Sequence, residues 1–341
     1  MHRCLSLAAM GIGNVSPNPM VGAVLLHGDR IIGEGYHMEW GGPHAEVNCI
    51  NAVSSEDQSL IPQSSLYVSL EPCAHHGKTP PCADLIISRK IPRVIIGCRD
   101  PFPEVNGKGI EKLKAAGVEV ELGILENECR ELNKRFFTFH QSHRPYIILK
   151  WAQTVNKKIG NENYSRLLIS NEISDRQVHK WRSEEASILV GTNTALFDDP
   201  ALTTRLWPGK NPVRLVVDLD LRLPTSLKVF DQQIKTVVFN SVKHEESDNL
   251  VFYQVTKDTN LVHQIVHALY HLKVQSVLVE GGTRMIQSFI DENLWDEARV
   301  ITNTTLEVEN GLPAPELKDL QTVDSVSFGT DRIDTFQNAT V

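Results

Sequence analysis

The sequence predicts an α/β protein of two domains. Its 341 residues exceed what one hydrophobic core usually organises. Short apolar runs alternate with helical patterns in two separate stretches of the chain, and such alternation is typical of sheets layered with helices. A short polar segment at 141–145 separates the two stretches. We therefore predict domains at 1–143 and 144–341.

In the first domain, the apolar runs at 21–26 and 30–36 flank His27-Gly28-Asp29, which is typical of a turn between neighbouring strands. Pro43 suits the first turn of a helix, and Gly117 suits the end of another. The pattern predicts further strands at 65–70, 93–98 and 118–123. It predicts helices at 44–53, 82–89, 109–117 and 126–139.

The second domain shows the same alternation with different spacing. Strands are predicted at 146–152, 187–191, 213–218, 236–240 and 276–282. Helices are predicted at 172–183, 260–271 and 283–292. The residues after the strand at 187–191 are predicted to form a polar loop that carries Asp198, Asp199 and Arg205.

Composition limits the classes of function. The formal net charge is −8, which argues against a protein whose main partner is a nucleic acid, although a small phosphorylated substrate needs only a few local cations. There is neither a secretory signal pattern nor an apolar run of membrane-spanning length. Six cysteines are too sparse for a disulfide scaffold, so we expect a reduced, cytoplasmic protein.

The strongest chemical signal is a set of metal-binding residue types in the first domain. His44, Cys73 and Cys82 would supply the three protein ligands of a catalytic Zn²⁺, with a fourth position left for water. Zinc brings the pKa of such a water to about 7. Glu46, two residues after His44, can take the water proton and pass it to a leaving amine, as in zinc nucleobase deaminases. The alternative is a structural zinc with His75 or His76 as fourth ligand, which would leave Glu46 without a role.

The spacing of the cysteines narrows the family. Eight residues separate Cys73 from Cys82, within the stretch EPCAHHGKTPPC, and SPNPMVG precedes it at 16–22. These motifs resemble the deaminase half of the bifunctional riboflavin-biosynthesis deaminase/reductase family, and the resemblance implies a cytidine-deaminase-like three-layer domain. It implies zinc at the three ligands above and Glu46 as the proton shuttle. It also implies that three residues hold the pyrimidine and its ribose phosphate: Asn18, His75 and Lys78.

In the second domain, a strand at 276–282 is followed by a Gly pair and an amphipathic helix. Backbone N–H groups at such a helix start can bind phosphate, although Gly-Gly is also a common turn. The absence of a Gly-x-Gly-x-x-Gly motif counts against a Rossmann domain. The segment at 179–205 resembles the reductase half of the same family, which implies a dihydrofolate-reductase-like α/β fold and NADPH as cofactor. The resemblance then covers essentially the whole chain.

Site residues of the second domain follow from this resemblance by position. Those expected to face the ribose-phosphate substrate are Arg166, Arg182, Leu202, Arg205 and Glu280. Two arginines suit a phosphate, because each guanidinium can bind it through two parallel hydrogen bonds. Those expected on the NADPH side are Ala152, Leu168, Thr194, Asp198, Gly282, Thr283 and Arg284.

The chain departs from the family pattern in the reductase half. Val155-Asn156-Lys157 stands where the family has Leu-Asp-Gly, and Leu168-Ile169-Ser170 stands where it has Trp-Ile-Thr. Arg166 stands where the family has a substrate-binding Ser. The Asp-to-Asn change removes a charge, and the Trp-to-Leu change removes an aromatic wall. A deaminase with a weakened or inactive reductase domain is therefore an alternative.

The sequence as a whole predicts a bifunctional enzyme of riboflavin biosynthesis. The first domain would deaminate 2,5-diamino-6-(5-phosphoribosylamino)pyrimidin-4(3H)-one, and the second would reduce its ribosyl group to ribityl with NADPH. The family implies a homo-oligomer, and the acidic charge balance and the lack of a long apolar run predict no nucleic-acid or membrane partner. Two alternatives belong to other classes: a nucleic-acid base deaminase, disfavoured by the acidic balance and the cysteine spacing, and a non-catalytic zinc protein.

Overall fold

The computed structural model describes residues 1–75, 80–162, 167–317 and 321–339. The chain divides into two compact units, Met1–His143 and Arg144–Val341, and each unit has its own hydrophobic core. Both units are sheets covered by helices, so the predicted α/β class is confirmed. Among the described residues, no helix is both long and apolar enough to cross a membrane.

The first unit is built on one mixed sheet. Its strands are β1 (Gly22–His27), β2 (Arg30–Tyr36), β3 (Ser65–Leu70), β4 (Arg93–Cys98) and β5 (Glu119–Leu122), in the order β2-β1-β3-β4-β5. β1 is antiparallel to β2 and β3, whereas β3, β4 and β5 are parallel. Its helices are α1 (His2–Ala9), α2 (Ala45–Asn51), α3 (Cys82–Ser88), α4 (Lys108–Ala115), α5 (Glu126–Leu132) and α6 (Lys134–Ser142).

The predicted single helix at 126–139 is wrong, because α5 and α6 are separate helices that meet at Asn133. This residue has φ −104° and ψ 22°, outside the helical range. Its side-chain carbonyl accepts a hydrogen bond from the Met20 N–H, and its amide donates to the Met20 carbonyl, both at 2.8 Å. A side chain committed to a distant backbone segment thus sets the break between the helices.

The second unit is built on a long, mostly parallel sheet. Its strands are β6 (Tyr146–Thr154), β7 (Lys158–Asn161), β8 (Ser187–Val190), β9 (Val213–Val217), β10 (Thr236–Asn240), β11 (Glu245–Glu246), β12 (Leu250–Gln254), β13 (Ser276–Val279), β14 (Glu297–Asn303), β15 (Gly311–Pro313), β16 (Gln321–Phe328) and β17 (Asp331–Gln337). The main sheet has the order β11-β12-β10-β9-β8-β13-β6-β14-β17-β16, and β15 pairs with β7. The strands from β12 to β14 in that order are parallel. Its helices are α7 (Glu172–Glu184), α8 (Thr192–Asp198), α9 (Leu261–His271) and α10 (Thr283–Asp291).

The second unit differs from the prediction in two places. Residues 192–198, predicted as the start of a polar loop, form the helix α8, which buries only Ala195 and therefore lacks an apolar periodicity. No element is predicted beyond residue 292, whereas β14, β15, β16 and β17 lie there. Four predicted strands correspond to observed ones: 146–152 to β6, 187–191 to β8, 213–218 to β9 and 236–240 to β10. These strands are almost entirely buried, as expected for a parallel sheet covered on both faces.

Candidate functional site

The start of α2 positions two of the candidate residues of the first unit. His44 is the N-cap of α2 in an extended conformation, and Glu46 lies in its first turn with only 3% of its surface exposed. The helix packs directly on the backbone of β2 at Gly35, where a Cβ atom would lie 2.2 Å from the Cys49 nitrogen. Glycine at that position therefore lets α2 sit close enough to the sheet to bury the Glu46 carboxyl.

The two cysteines come from the loop after β3 and from the first residue of α3. The Cys82 backbone N–H donates to the Cys73 Sγ at 3.3 Å, and the Ala83 N–H donates to the Cys73 carbonyl at 3.1 Å. The hydrogen bond with the Cys82 side chain, and then that with His44, lowers the pKa of the Cys73 thiol. The N-terminus of α3 thus holds Cys73 in place and favours its thiolate.

The geometry of the three ligating side chains fits zinc. His44 Nδ1 lies 3.6 Å from Cys73 Sγ and 3.3 Å from Cys82 Sγ, and all three atoms are within 4.8 Å of one another. Tetrahedral zinc with Zn–S of about 2.3 Å and Zn–N of about 2.1 Å requires N···S separations of about 3.6 Å. Among the described residues this cluster has three ligating side chains. Three protein ligands and a fourth position for water are the arrangement of a catalytic zinc site, which the cluster therefore fits.

Glu46 has the electrostatics of a proton carrier. Burial, followed by the charge of Cys73, raises the pKa of its carboxyl to about 6. The same carboxyl interacts with the side chain of Cys82, so it lies against the metal ligands without being one of the three. A carboxyl with a pKa near neutrality both accepts and releases a proton at physiological pH.

Of the other residues predicted for the site of this unit, the structure describes Asn18 and His75. Asn18 is half-buried, and its Nδ2 lies 3.1 Å from Nε2 of His37. His75 is also half-buried, with its Nε2 4.0 Å from the Glu104 carboxylate. Lys78 and His76 lie outside the described residues.

Glu71 has a structural role that was not predicted from the sequence. Its buried carboxylate accepts hydrogen bonds from four backbone N–H groups at 2.9–3.3 Å, those of Asp100, Gly107, Gly109 and Ile110. Three of these belong to the start of α4, so Glu71 ties the end of β3, next to Cys73, to that helix. The Glu-Pro-Cys motif therefore joins a structural anchor to a metal ligand.

Replacing Glu71 by Gln is expected to destabilise the protein by about 1.5–3 kcal/mol, because hydrogen bonds to a charged acceptor are lost and an amide N–H then faces backbone N–H groups. Urea denaturation measures this change. Glu111→Gln, in the first turn of the same α4 but exposed, is the matched control. Equal stability of the two variants would contradict the anchoring role of Glu71.

In the second unit, a buried ion pair joins α7 to the end of β13. Arg182 donates from Nε and Nη2 to the two carboxylate oxygens of Glu280 at 2.8 and 2.7 Å. Lys150 of β6 places its Nζ 3.8 Å from the same carboxylate. Burial alone would raise the pKa of Glu280, but the charges of Arg182 and Lys150 lower it to about 2. Sequence reasoning missed Lys150, although a lone Lys in the apolar run YIILKWA was a usable signal.

His179, also missed, lies beside this pair on α7. Burial and then the charges of Arg182 and Arg205 lower the pKa of His179 to about 4, so the exposed Arg205 acts electrostatically on His179. Leu202 as a whole residue is only 2% exposed and packs in the core, so little of it is open to a substrate. Arg166 lies outside the described residues.

Two glycine-containing loops meet where the parallel strands β8 and β13 end. A Cβ atom at Gly281 would lie 2.6 Å from the Val190 Cα, so the backbones of the two loops touch. Gly282 has φ +54°, and a Cβ atom there would lie 3.4 Å from the Thr194 Oγ1. Thr283 and Arg284 follow in the first turn of α10. This close approach of backbone N–H groups fits the phosphates of a dinucleotide.

The remaining residues predicted to bind the cofactor do not lie in these two glycine-containing loops. Ala152 lies within β6, and Asp198 is exposed at the C-terminal end of α8, opposite the end that starts beside the glycines. Leu168 is 73% exposed. Asn156 donates from Nδ2 to the Val308 carbonyl at 2.9 Å, a bond that a carboxylate could not make. The Asn that departs from the family pattern therefore has a structural use here.

Comparison with known proteins agrees with both halves of the chain. Residues 1–98 match the cytidine and deoxycytidylate deaminase zinc-binding region, and residues 145–306 match the RibD C-terminal domain. The fold and the site thus define a zinc-dependent deaminase joined to an NADPH-dependent reductase domain. The chain is 41% identical over 302 residues to the riboflavin biosynthesis protein RibD of Aquifex aeolicus, covering 87% of this chain and 83% of that protein. It is 31% identical over 315 residues to the Escherichia coli protein of the same name, covering 87% and 84%. The chain belongs to the RibD family of riboflavin biosynthesis proteins.

A solved structure extends the likeness over both units. A diaminohydroxyphosphoribosylaminopyrimidine deaminase/5-amino-6-(5-phosphoribosylamino)uracil reductase from Thermotoga maritima superposes with a TM-score of 0.89 at 35% identity, covering 99% of this chain and 97% of that one. Acinetobacter baumannii RibD gives 0.88 at 27% identity, covering 98% and 97%. The resemblance recognised from the motifs is confirmed.

Proposed function

We propose that the first unit deaminates 2,5-diamino-6-(5-phosphoribosylamino)pyrimidin-4(3H)-one and that the second reduces the ribosyl group of the product to ribityl. The observation that carries the first step is the His44, Cys73 and Cys82 cluster with the buried Glu46 against it. Membership of the RibD family, over most of the chain, supports the pairing of the two reactions.

The deamination needs one proton to move twice, and Glu46 can carry it. Zinc held by His44, Cys73 and Cys82 would supply an attacking water of lowered pKa. Glu46 takes a proton from the attacking water while the oxygen of that water bonds to the amine-bearing ring carbon. Glu46 then delivers a proton to the amine nitrogen, which leaves as ammonia. Asn18, His75 and Lys78 would hold the pyrimidine and its ribose phosphate.

In the reductase unit, we propose that Arg166, Arg182, Leu202, Arg205 and Glu280 face the ribose-phosphate substrate. The three cations Arg182, Lys150 and Arg205 outnumber the two carboxylates that act on them, Glu280 and Asp175, so the cluster suits an anionic substrate. NADPH supplies the hydride. The residues proposed to bind it are Ala152, Leu168, Thr194, Asp198, Gly282, Thr283 and Arg284.

An assay that follows the two reactions separately tests this function. The diaminopyrimidine ribosyl phosphate is supplied, and ammonia release and NADPH oxidation are recorded independently. We expect both to proceed. Failure of both would contradict the proposed substrate.

A second candidate function is a deaminase with a weakened reductase. The 73% exposure of Leu168, where the family has Trp, favours it, because the cofactor side then lacks an aromatic wall. Calorimetry with NADPH distinguishes the two candidates. Ammonia release without NADPH binding or oxidation, even when deaminated substrate is supplied, would support this second function.

We also propose that the enzyme is a cytoplasmic homo-oligomer whose partner is a small phosphorylated pyrimidine. The family resemblance and the sparse cysteines support this proposal. Light scattering on a sizing column measures the oligomeric state, and a monomer at micromolar concentration would contradict that part of it.

Removal of one ligand should release the metal. Cys82→Ala leaves two of the three protein ligands, so we expect less than about a tenth of the wild-type zinc content and a matching loss of ammonia release. Cys129→Ala, which removes a buried thiol outside the cluster, is the control and should keep its zinc. Elemental analysis measures both, and full zinc retention in Cys82→Ala would exclude Cys82 as a ligand.

A further inference from the structure

A chain of hydrogen bonds links the start of α2 to Asn18. His37 is 3% exposed, with its Nδ1 3.0 Å from the Pro43 carbonyl oxygen and its Nε2 3.1 Å from the Asn18 Nδ2. The ring of His37 meets the ring of His44 edge-on, with 5.5 Å between centroids. These hydrogen bonds therefore lie directly beside the metal ligand His44.

The Pro43 carbonyl determines where the protons of this chain are. A carbonyl oxygen only accepts, so Nδ1 of His37 carries the proton and donates it to Pro43. The Nδ2 of an amide only donates, so the His37 Nε2 that faces Asn18 Nδ2 is the acceptor of that bond. Asn18 donates to that nitrogen from Nδ2, which leaves its carbonyl Oδ1 as the atom offered to a ligand.

We propose that His37 is a positioning residue that fixes the amide of Asn18 with its acceptor oxygen toward the substrate. The site would thereby select a pyrimidine that presents an N–H donor at this position. This inference rests on the proposed function, in which Asn18 holds the pyrimidine ring. The backbone segment before α2 would then have two functions. It presents His44, and through Pro43 and His37 it orients the amide of Asn18.

Two substitutions of His37 separate its two hydrogen bonds. His37→Asn can keep the bond to Pro43 but not the one to Asn18, whereas His37→Gln can keep an acceptor near Asn18. We expect His37→Asn to raise the KM of deamination about tenfold with little change in kcat, and His37→Gln to stay within about threefold of wild type. Zinc content should be unchanged in both.

A double-mutant cycle decides the matter. In an Asn18→Ala background, His37→Asn should add no further increase in KM, because the group that it positions is gone. Additive effects, or loss of zinc in His37→Asn, would overturn the positioning role. If Asn18→Ala alone leaves KM unchanged, the proposed substrate contact of Asn18 fails instead, and the positioning proposal falls with it.

A second, independent observation concerns the exposed face of α9. His263, His267 and His271 are four residues apart and therefore share that face. Nε2 of His267 lies 3.0 Å from Nε2 of His271. Nε2 of His263 instead lies 2.9 Å from the Glu292 carboxylate.

The separation of the two imidazole nitrogens matches one kind of metal coordination. At a metal–nitrogen distance of about 2.0–2.1 Å, two ligands at a right angle are about 2.9 Å apart, whereas tetrahedral ligands are about 3.4 Å apart. The geometry points to His267 and His271 as a surface site for Cu²⁺ or Ni²⁺, the ions that prefer right-angled coordination by nitrogen.

Titration of the zinc-loaded protein with NiCl₂, followed by calorimetry, tests this site. We expect His267→Ala to weaken nickel binding by more than about tenfold, since one of two protein ligands is removed. His263→Ala on the same helix face is the matched control and should bind as wild type does. Unchanged binding in His267→Ala, or equal loss in both variants, would overturn the assignment.

Discussion

Replacing Glu46 by Gln is expected to slow ammonia release by about 10²- to 10⁴-fold while the protein keeps its zinc. The amide has nearly the shape of the carboxyl but cannot carry the proton that must pass from water to the leaving amine. The effect should appear in kcat, because the proton moves in the chemical step. A steady-state deaminase assay, with elemental analysis of zinc on the same sample, measures both quantities.

Glu56→Gln, an exposed glutamate of the same unit, is the control and should have wild-type activity. NADPH oxidation with deaminated substrate should also be unaffected in Glu46→Gln, since the second unit has its own site. Wild-type ammonia release in Glu46→Gln with zinc retained would instead show that Glu46 does not carry the proton, and no ammonia release from the wild type itself would support a non-catalytic zinc site.

Arg182→Met is expected to lower the free energy of unfolding by about 3–5 kcal/mol and to abolish most of the reductase activity. Arg182 and Glu280 form a buried pair, with side chains 12% and 7% exposed. The substitution would remove the guanidinium that donates to both oxygens of the Glu280 carboxylate. Lys150, at 3.8 Å, replaces that contact only in part. Urea denaturation measures the stability, and NADPH oxidation with deaminated substrate measures the activity.

A second substitution separates stability from function. Adding Glu280→Gln to Arg182→Met removes the unpaired charge, so we expect part of the stability to return while the reductase stays inactive. Arg176→Ala, an exposed arginine on the same α7, is the control and should change neither quantity by much. Recovery of activity in the double variant would show that Arg182 serves the fold and not the substrate.

The sequence was sufficient where a pattern is local. Apolar runs predicted β3, β4 and β10 at their observed bounds, because strands buried in a layered sheet need continuous apolar side chains. The edge strand β2, which is only partly buried, was also predicted at its bounds, from the turn that precedes it. Local patterns failed for α8, which buries a single residue, and for the break at Asn133, which depends on a contact with Met20 far away in the chain. No strand was predicted beyond residue 292, where β14 to β17 lie.

The sequence by itself determined which chemical groups the protein carries: the His44, Cys73 and Cys82 ligand types, the Glu46 carboxyl and the motifs that identify the family. The tertiary structure alone decided which of these groups meet and which unrecognised residues join them. Lys150 reaches Glu280 because β6 lies beside β13, a strand some 130 residues later in the chain. His37 reaches both Pro43 and Asn18 because β2, α2 and the loop before β1 converge beside the metal ligands. Such contacts follow from the order of strands in a sheet, which the packing of the whole chain sets and no local pattern encodes.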